Sequence, residues 1–220
     1  MKKIFFIYFL IFSLNCKKEV KPVNILLINS NNFPSSNYIN FLNYSKIKKY
    51  KLKIYTGNLF SLTNKSFCSY LNKLNINFFV PYNKIEKIDL KKIKKYEKRC
   101  NFPLVYTENF KLTGSWLKPY FLLKLLNYRI LVYNYHKMEK LNFNEFSKMK
   151  LKDNDLIIIF TSIKDLITPN KENILKIFFS KELEENYSVI FINPEIEGIY
   201  EIKIYYEKGK ILKKEIYKLL

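Results

Sequence analysis

Polar residues collect where an apolar segment ends near the start of the chain. The segment Ile25–Asn32 reads ILLINSNN and continues into FPSS, so an apolar run leads directly into Ser30, Asn31 and Asn32. In α/β proteins, ligands bind at the edge where the strands end. The hydroxyl and amide groups of these residues therefore either belong to a site at that edge or form only a turn there.

Histidine and aspartate, which could act as acids, bases or metal ligands, are few in this chain. The chain has one histidine and four aspartates: His136, Asp89, Asp153, Asp155 and Asp165. His136 has no acidic neighbour in sequence, which favours a surface histidine over a catalytic one. The segment KDND at 152–155 lacks the acidic positions and the glycine of a calcium loop, and a turn before a strand accounts for it. Glu172, like Asp165, is interpreted as a solvated or capping residue. The sequence contains no Ser/His/Asp order, phosphate-binding glycine loop or CxxC motif.

The elements that would position these residues alternate along the chain. Apolar runs predict strands at Val23–Asn29, Leu52–Thr56, Ile76–Val80, Pro103–Tyr106, Asp155–Thr161 and Ser188–Ile192. Helical spacing of apolar residues predicts helices at Ser35–Tyr50, Asn64–Asn75, Ile88–Cys100, Phe143–Met149 and Asn170–Glu185. Two hairpins are predicted, at 120–135 and at 199–219, the second around Lys208-Gly209. Repeated β-α units followed by antiparallel hairpins predict one α/β domain with a mixed sheet covered by helices.

The segment Lys53–Thr63, KIYTGNLFSLT, resembles the second metal motif of the calcineurin-like metallophosphoesterases, in their 5′-nucleotidase branch, where a strand ends in Gly-Asp. The strand that leads to Ser30 is similar to the first strand of that family, and Thr113–Tyr135 is similar to its Lys-Pro-Tyr hairpin. DLIIIFTS resembles the strand that ends in a ligand histidine, and Gly198–Ile211 resembles the closing hairpin. The resemblance covers residues 23–220 and implies an α/β fold, a metallophosphoesterase-like β-sandwich of mixed sheets flanked by helices.

The same resemblance implies a site for two divalent metals, which activate a bridging water. In this chain the residues at the ligand positions differ from those of the family. The first-strand Asp corresponds to Ser30, its His to Asn32, and the bridging Asp to Asn58. In the third motif Asn83 matches the family's Asn, whereas Lys84 stands in the place of the catalytic His.

The last two motifs are changed as well. Ser162 replaces the histidine that ends the DLIIIFT strand, and the Gly-His-x-His motif falls at Asn193, Pro194 and Glu195. One histidine cannot supply the several that the family uses, and an ammonium group at Lys84 would repel a divalent cation. The resemblance therefore implies an emptied metal site with no cofactor and no catalytic residue. Amide and ammonium groups at the emptied positions could instead hold an anion.

The residue pattern at the amino terminus predicts that the protein is exported. MKKIFFIYFLIFSLNC has two lysines, a short apolar run and a cysteine, so residues 1–15 are interpreted as a signal peptide. Cys16 at the end of this run resembles the lipidated cysteine of a bacterial lipoprotein with a relaxed, spirochaete-type signal; the alternative is an ordinary signal peptide with an incidental cysteine. Residues 16–22 are then a lipidated linker on the cell envelope, and the membrane is a partner through Cys16. Cys68 and Cys100 are expected to be two buried free thiols, although an exported chain can form a disulfide.

The net charge of +20 does not by itself indicate nucleic acid. The lysines are spread through every segment and only Arg99 and Arg129 are arginines, which disfavours a specific nucleic-acid reader. Three hypotheses remain for function. The first is an inactive, lipid-anchored binding or scaffold module that has an unknown protein or an anionic ligand as its partner. The alternatives are a divergent metal-dependent phosphoesterase with a rebuilt site, and a basic adhesin for acidic polymers.

Overall fold

The structure is a computed structural model. It describes residues 20–30, 49–58, 65–82, 99–106, 117–118, 120–125, 128–135, 152, 155–162, 172–179, 189–194 and 196–220. The described strands, numbered along the chain, are β1 Val23–Asn29, β2 Leu52–Gly57, β3 Phe78–Pro81, β4 Leu104–Val105, β5 Leu117–Lys118, β6 Phe121–Lys124, β7 Arg129–Tyr135, β8 Leu156–Thr161, β9 Ile174–Phe179, β10 Val189–Ile192, β11 Gly198–Glu207 and β12 Lys210–Lys218. The described α-helix, α1, is Lys65–Lys73.

Two mixed sheets form the fold, as predicted. The first has seven strands in the order β12-β11-β1-β2-β3-β4-β5, and the second has five in the order β10-β9-β8-β7-β6. In the first sheet β1 to β5 are parallel, and β11 runs antiparallel to both β1 and β12. In the second sheet β7 to β10 are parallel and β6 is antiparallel to β7. The carboxyl ends of the parallel strands therefore gather at one edge of each sheet.

The core lies between the two sheets and continues on their outer faces. Successive side chains of a strand point to opposite faces, so β1 sends Ile25 and Leu27 to the core between the sheets and Leu26 and Ile28 to the other side. On that other side, α1 covers the sheet with buried residues that include Phe67. Strands buried on both faces read as continuous apolar runs, which is why ILLIN and LIIIF were recognisable as strands.

The sequence wrongly predicted a helix at Asn170–Glu185. The structure has the parallel strand β9 between β8 and β10 instead. Leu175, Ile177 and Phe179 face the core between the sheets, which is a period of two, and Ile174 faces the opposite side. A short apolar run with β-branched and aromatic residues fits both periods, and pairing on both sides selects the strand.

The other predicted elements have mixed outcomes. The remaining strands, the helix near Asn64–Asn75 and both hairpins are confirmed with small shifts of their ends, whereas the two-residue strand β5 was not predicted. Lys208 and Gly209 have φ values of 48° and 82°, which is the left-handed backbone that a two-residue hairpin turn requires. The helices predicted at 35–50, 88–100 and 143–149 lie wholly or largely outside the described residues.

The expectation of two free thiols was wrong, because Cys68 and Cys100 form a disulfide. Cys68 lies on the buried side of α1, and Cys100 precedes β4, with a Cα–Cα distance of 5.0 Å. The strand β3 lies between the two cysteines in sequence, and the disulfide joins residues that are 32 positions apart. Both cysteines are buried in the core that α1 covers.

Candidate functional site at the strand ends

The fold brings four of the predicted site residues to one end of the sandwich, and one of them, Asn193, follows β10. Ser30 follows β1, and Asn58 follows β2, which is parallel to β1. Ser162 follows β8 in the second sheet. The two sheets contact each other at this end. The Asn134 amide of β7, in the five-stranded sheet, donates to the carbonyls of Pro81 at 2.9 Å and Val105 at 3.2 Å in the seven-stranded sheet. We call this end of the sandwich the rim.

Ser30 stands where the resemblance places the first metal ligand, and it is fully buried. Its backbone N–H donates to the carbonyl of Thr56 at 3.1 Å, and its carbonyl accepts from the Tyr55 hydroxyl at 2.8 Å. Its side-chain hydroxyl donates to Glu197 Oε1 at 2.6 Å. Every polar group of Ser30 is therefore held by the protein itself.

Asn29, the residue before Ser30, holds the loop that follows β10. Its amide donates to the carbonyls of Asn193 at 2.9 Å and Ile196 at 2.7 Å. Its amide oxygen accepts from the Thr56 hydroxyl at 2.9 Å, and both side chains are fully buried. The loop that corresponds to the family's last metal motif is thus tied to the end of β1, with Asn193 contributing its carbonyl.

Asn29 and Glu197 are the rim residues that the sequence did not identify. In sequence Asn29 is simply the last residue of a buried strand, and its role in holding the loop is seen only in the hydrogen bonds of its buried amide. Glu197 lies two residues beyond Glu195 in sequence. Its one sequence signal is that it is the last acidic residue before the glycine that begins β11.

Gly57, which ends β2, lies against the rim. A Cβ atom on Gly57 would collide with the carbonyl oxygen of Ser30. The glycine at this position is therefore required by the close approach of β1 and β2, which agrees with the backbone glycine that the resemblance implies here. Asn58, which follows it in the place of the bridging aspartate, is half-buried, and Ser162 is exposed.

Several predicted site residues fall outside the described residues. These are Cys16, Asn32, Asn83, Lys84 and Glu195, and His136, which was predicted to be a surface histidine, also lies outside them. Within the part of the chain that the structure describes, no group of three or more histidine, cysteine, aspartate or glutamate side chains is placed to hold a metal ion. The described rim residues at ligand positions are neutral: Ser30, Asn58, Ser162 and Asn193.

Asp155 lies at the opposite end of the sandwich, before β8, and it is 1% exposed. The Arg129 guanidinium donates to both of its carboxylate oxygens, from Nε at 2.8 Å and from Nη2. The backbone N–H of Lys152 also donates to the carboxylate, at 2.8 Å. Hydrogen bonding to Asp155 raises the pKa of Arg129, and burial raises the pKa of Tyr133 nearby. Asp155 is thus part of a structural ion pair.

Solved structures with a similar architecture include several phosphoesterases. A 5′-nucleotidase precursor from Thermus thermophilus aligns with 90% of this chain and 54% of its own, at 10% identity and a TM-score of 0.56. A calcineurin-like phosphoesterase from Bacillus subtilis, YfkN, aligns over 90% of both chains at 11% identity and a TM-score of 0.54. The fold is that of the calcineurin-like phosphoesterases. The NAD nucleotidase of Haemophilus influenzae aligns with 90% of this chain and 56% of its own, at 12% identity and a TM-score of 0.51.

This chain therefore spans little more than half of the two nucleotidases and nine-tenths of the Bacillus phosphoesterase. No family model matches the sequence, and no curated protein matches it either. Among the described residues, no helix has the length and apolar character needed to cross a membrane.

Proposed function

We propose that this chain is a catalytically inactive, metallophosphoesterase-like lipoprotein that acts as a binding or scaffold module at the cell envelope. The observation that carries the proposal is the state of Ser30. At the position of the first metal ligand stands a neutral hydroxyl, fully buried, that donates to Glu197 at 2.6 Å. The loop of the last metal motif is bonded to the same strand end through Asn29.

The described rim residues do not fit the two divalent metals that the fold family implies. A pair of divalent cations needs anionic oxygen and imidazole ligands to offset its charge. Ser30, Asn58 and Ser162 supply neutral oxygen atoms, and the whole chain has one histidine. Glu197 is the carboxylate that the structure adds to the rim, and it accepts a hydrogen bond from Ser30. We therefore derive no catalytic step through a metal.

Export and lipid anchoring are the second part of the proposal. They rest on the signal-like residues 1–15 and on Cys16 at the end of the apolar run. The Cys68–Cys100 disulfide supports export, because disulfides persist in oxidising compartments. A lipid-modified cysteine would hold the module on a membrane surface.

The experiment is metal content together with phosphoesterase turnover, measured on the purified full chain in detergent after incubation with manganese, zinc or iron. We expect less than one metal ion bound per chain and no hydrolysis of a phosphate ester above the buffer rate. Two bound metals with turnover would contradict the proposal and favour a divergent phosphoesterase. Labelled fatty acid should enter the wild-type chain and not the C16S variant; equal labelling of both would contradict the anchor.

A further inference from the structure

The end of the sandwich opposite the rim is where β1, β2, β7 and β8 begin, and we call it the base. The two sheets contact each other at this end as well. The ring centroids of Tyr128, before β7, and Tyr206, near the end of β11, are 5.0 Å apart. The N–H of Ile211 in β12 donates to the carbonyl of Glu172, before β9, at 2.9 Å. The base is therefore a surface to which both sheets contribute.

Three exposed lysines precede strands that begin at the base. Lys21 lies before β1, and Lys51 immediately precedes β2. Lys152 lies before β8, where its carbonyl accepts a hydrogen bond from the N–H of Asp155 at 2.9 Å. Because these strands all begin at the base, the three lysines lie at the same end of the sandwich.

Three more exposed lysines reach the base from other elements. Lys208 is in the turn that follows β11, and β11 runs antiparallel to β1. Lys124 is paired with Arg129 at the start of β7. Lys73 ends α1, and the carbonyl of the residue after it accepts a hydrogen bond from Lys53 Nζ, near the start of β2, at 3.1 Å. The fold thus gathers lysines that are far apart in sequence, and we call them the base lysines: Lys21, Lys51, Lys73, Lys124, Lys152 and Lys208.

The base lysines have no carboxylate partner among the described residues, because the described ion pairs use other cations. Two of those pairs lie at the base, Lys210–Glu172 and Arg129–Asp155, and each balances its own charge. Outside these pairs, Glu207 is the one acidic residue that the structure describes at this end. The described base therefore carries an excess of positive charge.

This positive charge is not repeated at the rim. Among the described lysines that are exposed and outside an ion pair, Lys218 is the one that lies away from the base. It is near the end of β12, the edge strand of the seven-stranded sheet, next to Leu219, which donates to the carbonyl of Ile199 at the start of β11. The described rim also contains Glu197. The described part of the sandwich thus has one basic end and one end with little net charge.

The proposed anchor would hold the base close to a membrane. Residues 16–22 join Cys16 to β1, and a fully extended segment of that length spans at most about 25 Å. The rim lies beyond β1, whose 7 residues add about 23 Å. The linker also contributes Lys17, Lys18 and Glu19, which together are positively charged. Lysines that cluster beside a membrane anchor are attracted to anionic lipid headgroups.

Two other occupants fit the base less well. A second copy of the chain would bring two basic ends together, which the repulsion of like charges opposes. A soluble acidic polymer would have to reach a surface that the anchor holds toward the bilayer. The charge and the position of the linker together favour the membrane surface.

We propose that the base docks on anionic lipid headgroups, so that the base lysines contact the membrane and the rim points away from it. The inference rests on the proposed function for the anchor and adds the orientation of the module on the membrane. Vesicle binding by a chain that cannot be acylated tests the docking alone. Fatty-acid labelling, metal content and turnover test the proposed function, so the two can fail separately.

The first test measures how the full-length C16S chain, which cannot be acylated at this position, partitions between buffer and vesicles. One vesicle preparation is phosphatidylcholine alone, and the other is an equal mixture with phosphatidylglycerol. The ratio of the two partition coefficients removes the contribution of the apolar residues 4–12, which is common to both. We expect a ratio of about ten or more at low salt, and a ratio that falls as salt is raised because exposed charges are screened.

Charge reversals at the two ends of one hairpin are the matched variants. In the C16S chain, K208E changes the base and K218E changes the rim, and both lysines are exposed. K208E should lower the ratio by about fivefold or more, and K51E/K208E should lower it further, whereas K218E should change it by less than about twofold. A ratio near one for C16S, or equal losses in K208E and K218E, would overturn the proposal. Binding of soluble polyglutamate without partition into anionic vesicles would overturn it in favour of an adhesin.

The second test measures the orientation of the acylated full chain in vesicles that contain a headgroup-labelled quencher. A fluorophore is attached at the base in E207C or at the rim in S162C, and both positions are exposed. Ser162 follows the 6 residues of β8 and therefore lies about 20 Å from the base. We expect clearly stronger quenching at position 207 than at position 162. Equal quenching at the two positions, or stronger quenching at 162, would refute the orientation.

Discussion

Removal of the Asp155 charge should strongly destabilise the fold although Asp155 is far from the rim. In the D155N variant, the Arg129 guanidinium would lose both charge-assisted bonds to the carboxylate. The carboxylate is 1% exposed and the Arg129 side chain 24% exposed, so little water can replace the lost partner. Breaking a buried pair by removing one partner costs about 3–5 kcal/mol, because a buried charge is left uncompensated.

Urea unfolding followed by tryptophan fluorescence or circular dichroism measures this cost. With a urea dependence of about 3 kcal/mol per molar for a chain of this size, the midpoint of D155N should fall by about 1–1.7 M. The matched control is E172Q, which removes the exposed Lys210–Glu172 pair, with side chains 60% and 65% exposed. An exposed pair contributes about 0–1 kcal/mol, so the midpoint of E172Q should fall by about 0.3 M at most.

The double variant D155N/R129M tests the reasoning directly. Removing both partners leaves no unpaired charge, so the double variant should regain part of the stability that D155N loses. A loss below about 1 kcal/mol in D155N would refute the interpretation of Asp155 as a buried structural ion. A double variant less stable than D155N would show that the cost arises from packing.

Three further predictions concern the rim, the disulfide and the edge strand. S30D places a carboxylate against Glu197 and should lower the melting temperature at pH 7 more than at pH 5, where the two groups can share a proton; an equal loss at both pH values would argue against this contact. C100S should lose about 3–4 kcal/mol, from the closed loop with a sequence separation of 32, and dithiothreitol should destabilise the wild type as much as the substitution does. Burial lowers the pKa of Lys214 to about 8, so between that pH and about 10.4 the unfolded chain binds more protons and the stability from this group rises with pH. K214M should therefore be more stable than wild type at pH 7 by about 1 kcal/mol, with an advantage that shrinks above pH 8 in urea titrations.

Strands that are buried on both faces were the elements that the sequence predicted most directly. Ile25–Asn29 and Leu156–Thr161 are continuous apolar runs that end in polar residues, and both became strands whose ends lie at the rim. Residues 174–179 were predicted wrongly, because ILKIFF fits a helical stripe as well as a strand. This segment becomes a strand because it pairs with β8 on one side and β10 on the other. Both neighbours lie outside the segment, so its own residue pattern does not reveal the pairing.

The placement of candidate residues was predictable where they follow strand ends, and their role as a site stays a prediction. The positions of Ser30, Asn58 and Ser162 follow from the order of strands. Glu197 was missed, because it lies in a loop whose path depends on the Asn29 amide and not on any local pattern. The Cys68–Cys100 disulfide was missed for a related reason: sequence separation does not reveal how closely α1 lies to the segment before β4.

The Asn29 and Ser30 bonds to the loop at 193–197 have a consequence for how the protein withstands its surroundings. A protein that binds metal in its native state gains stability in proportion to the logarithm of the free metal concentration, and it loses that stability when metal is scarce. Here the end of β1 is joined to the loop by an amide and a hydroxyl that the chain always carries. These bonds do not themselves require a bound metal, so under the proposed function this end of the sandwich should keep its fold when a chelator removes divalent metal.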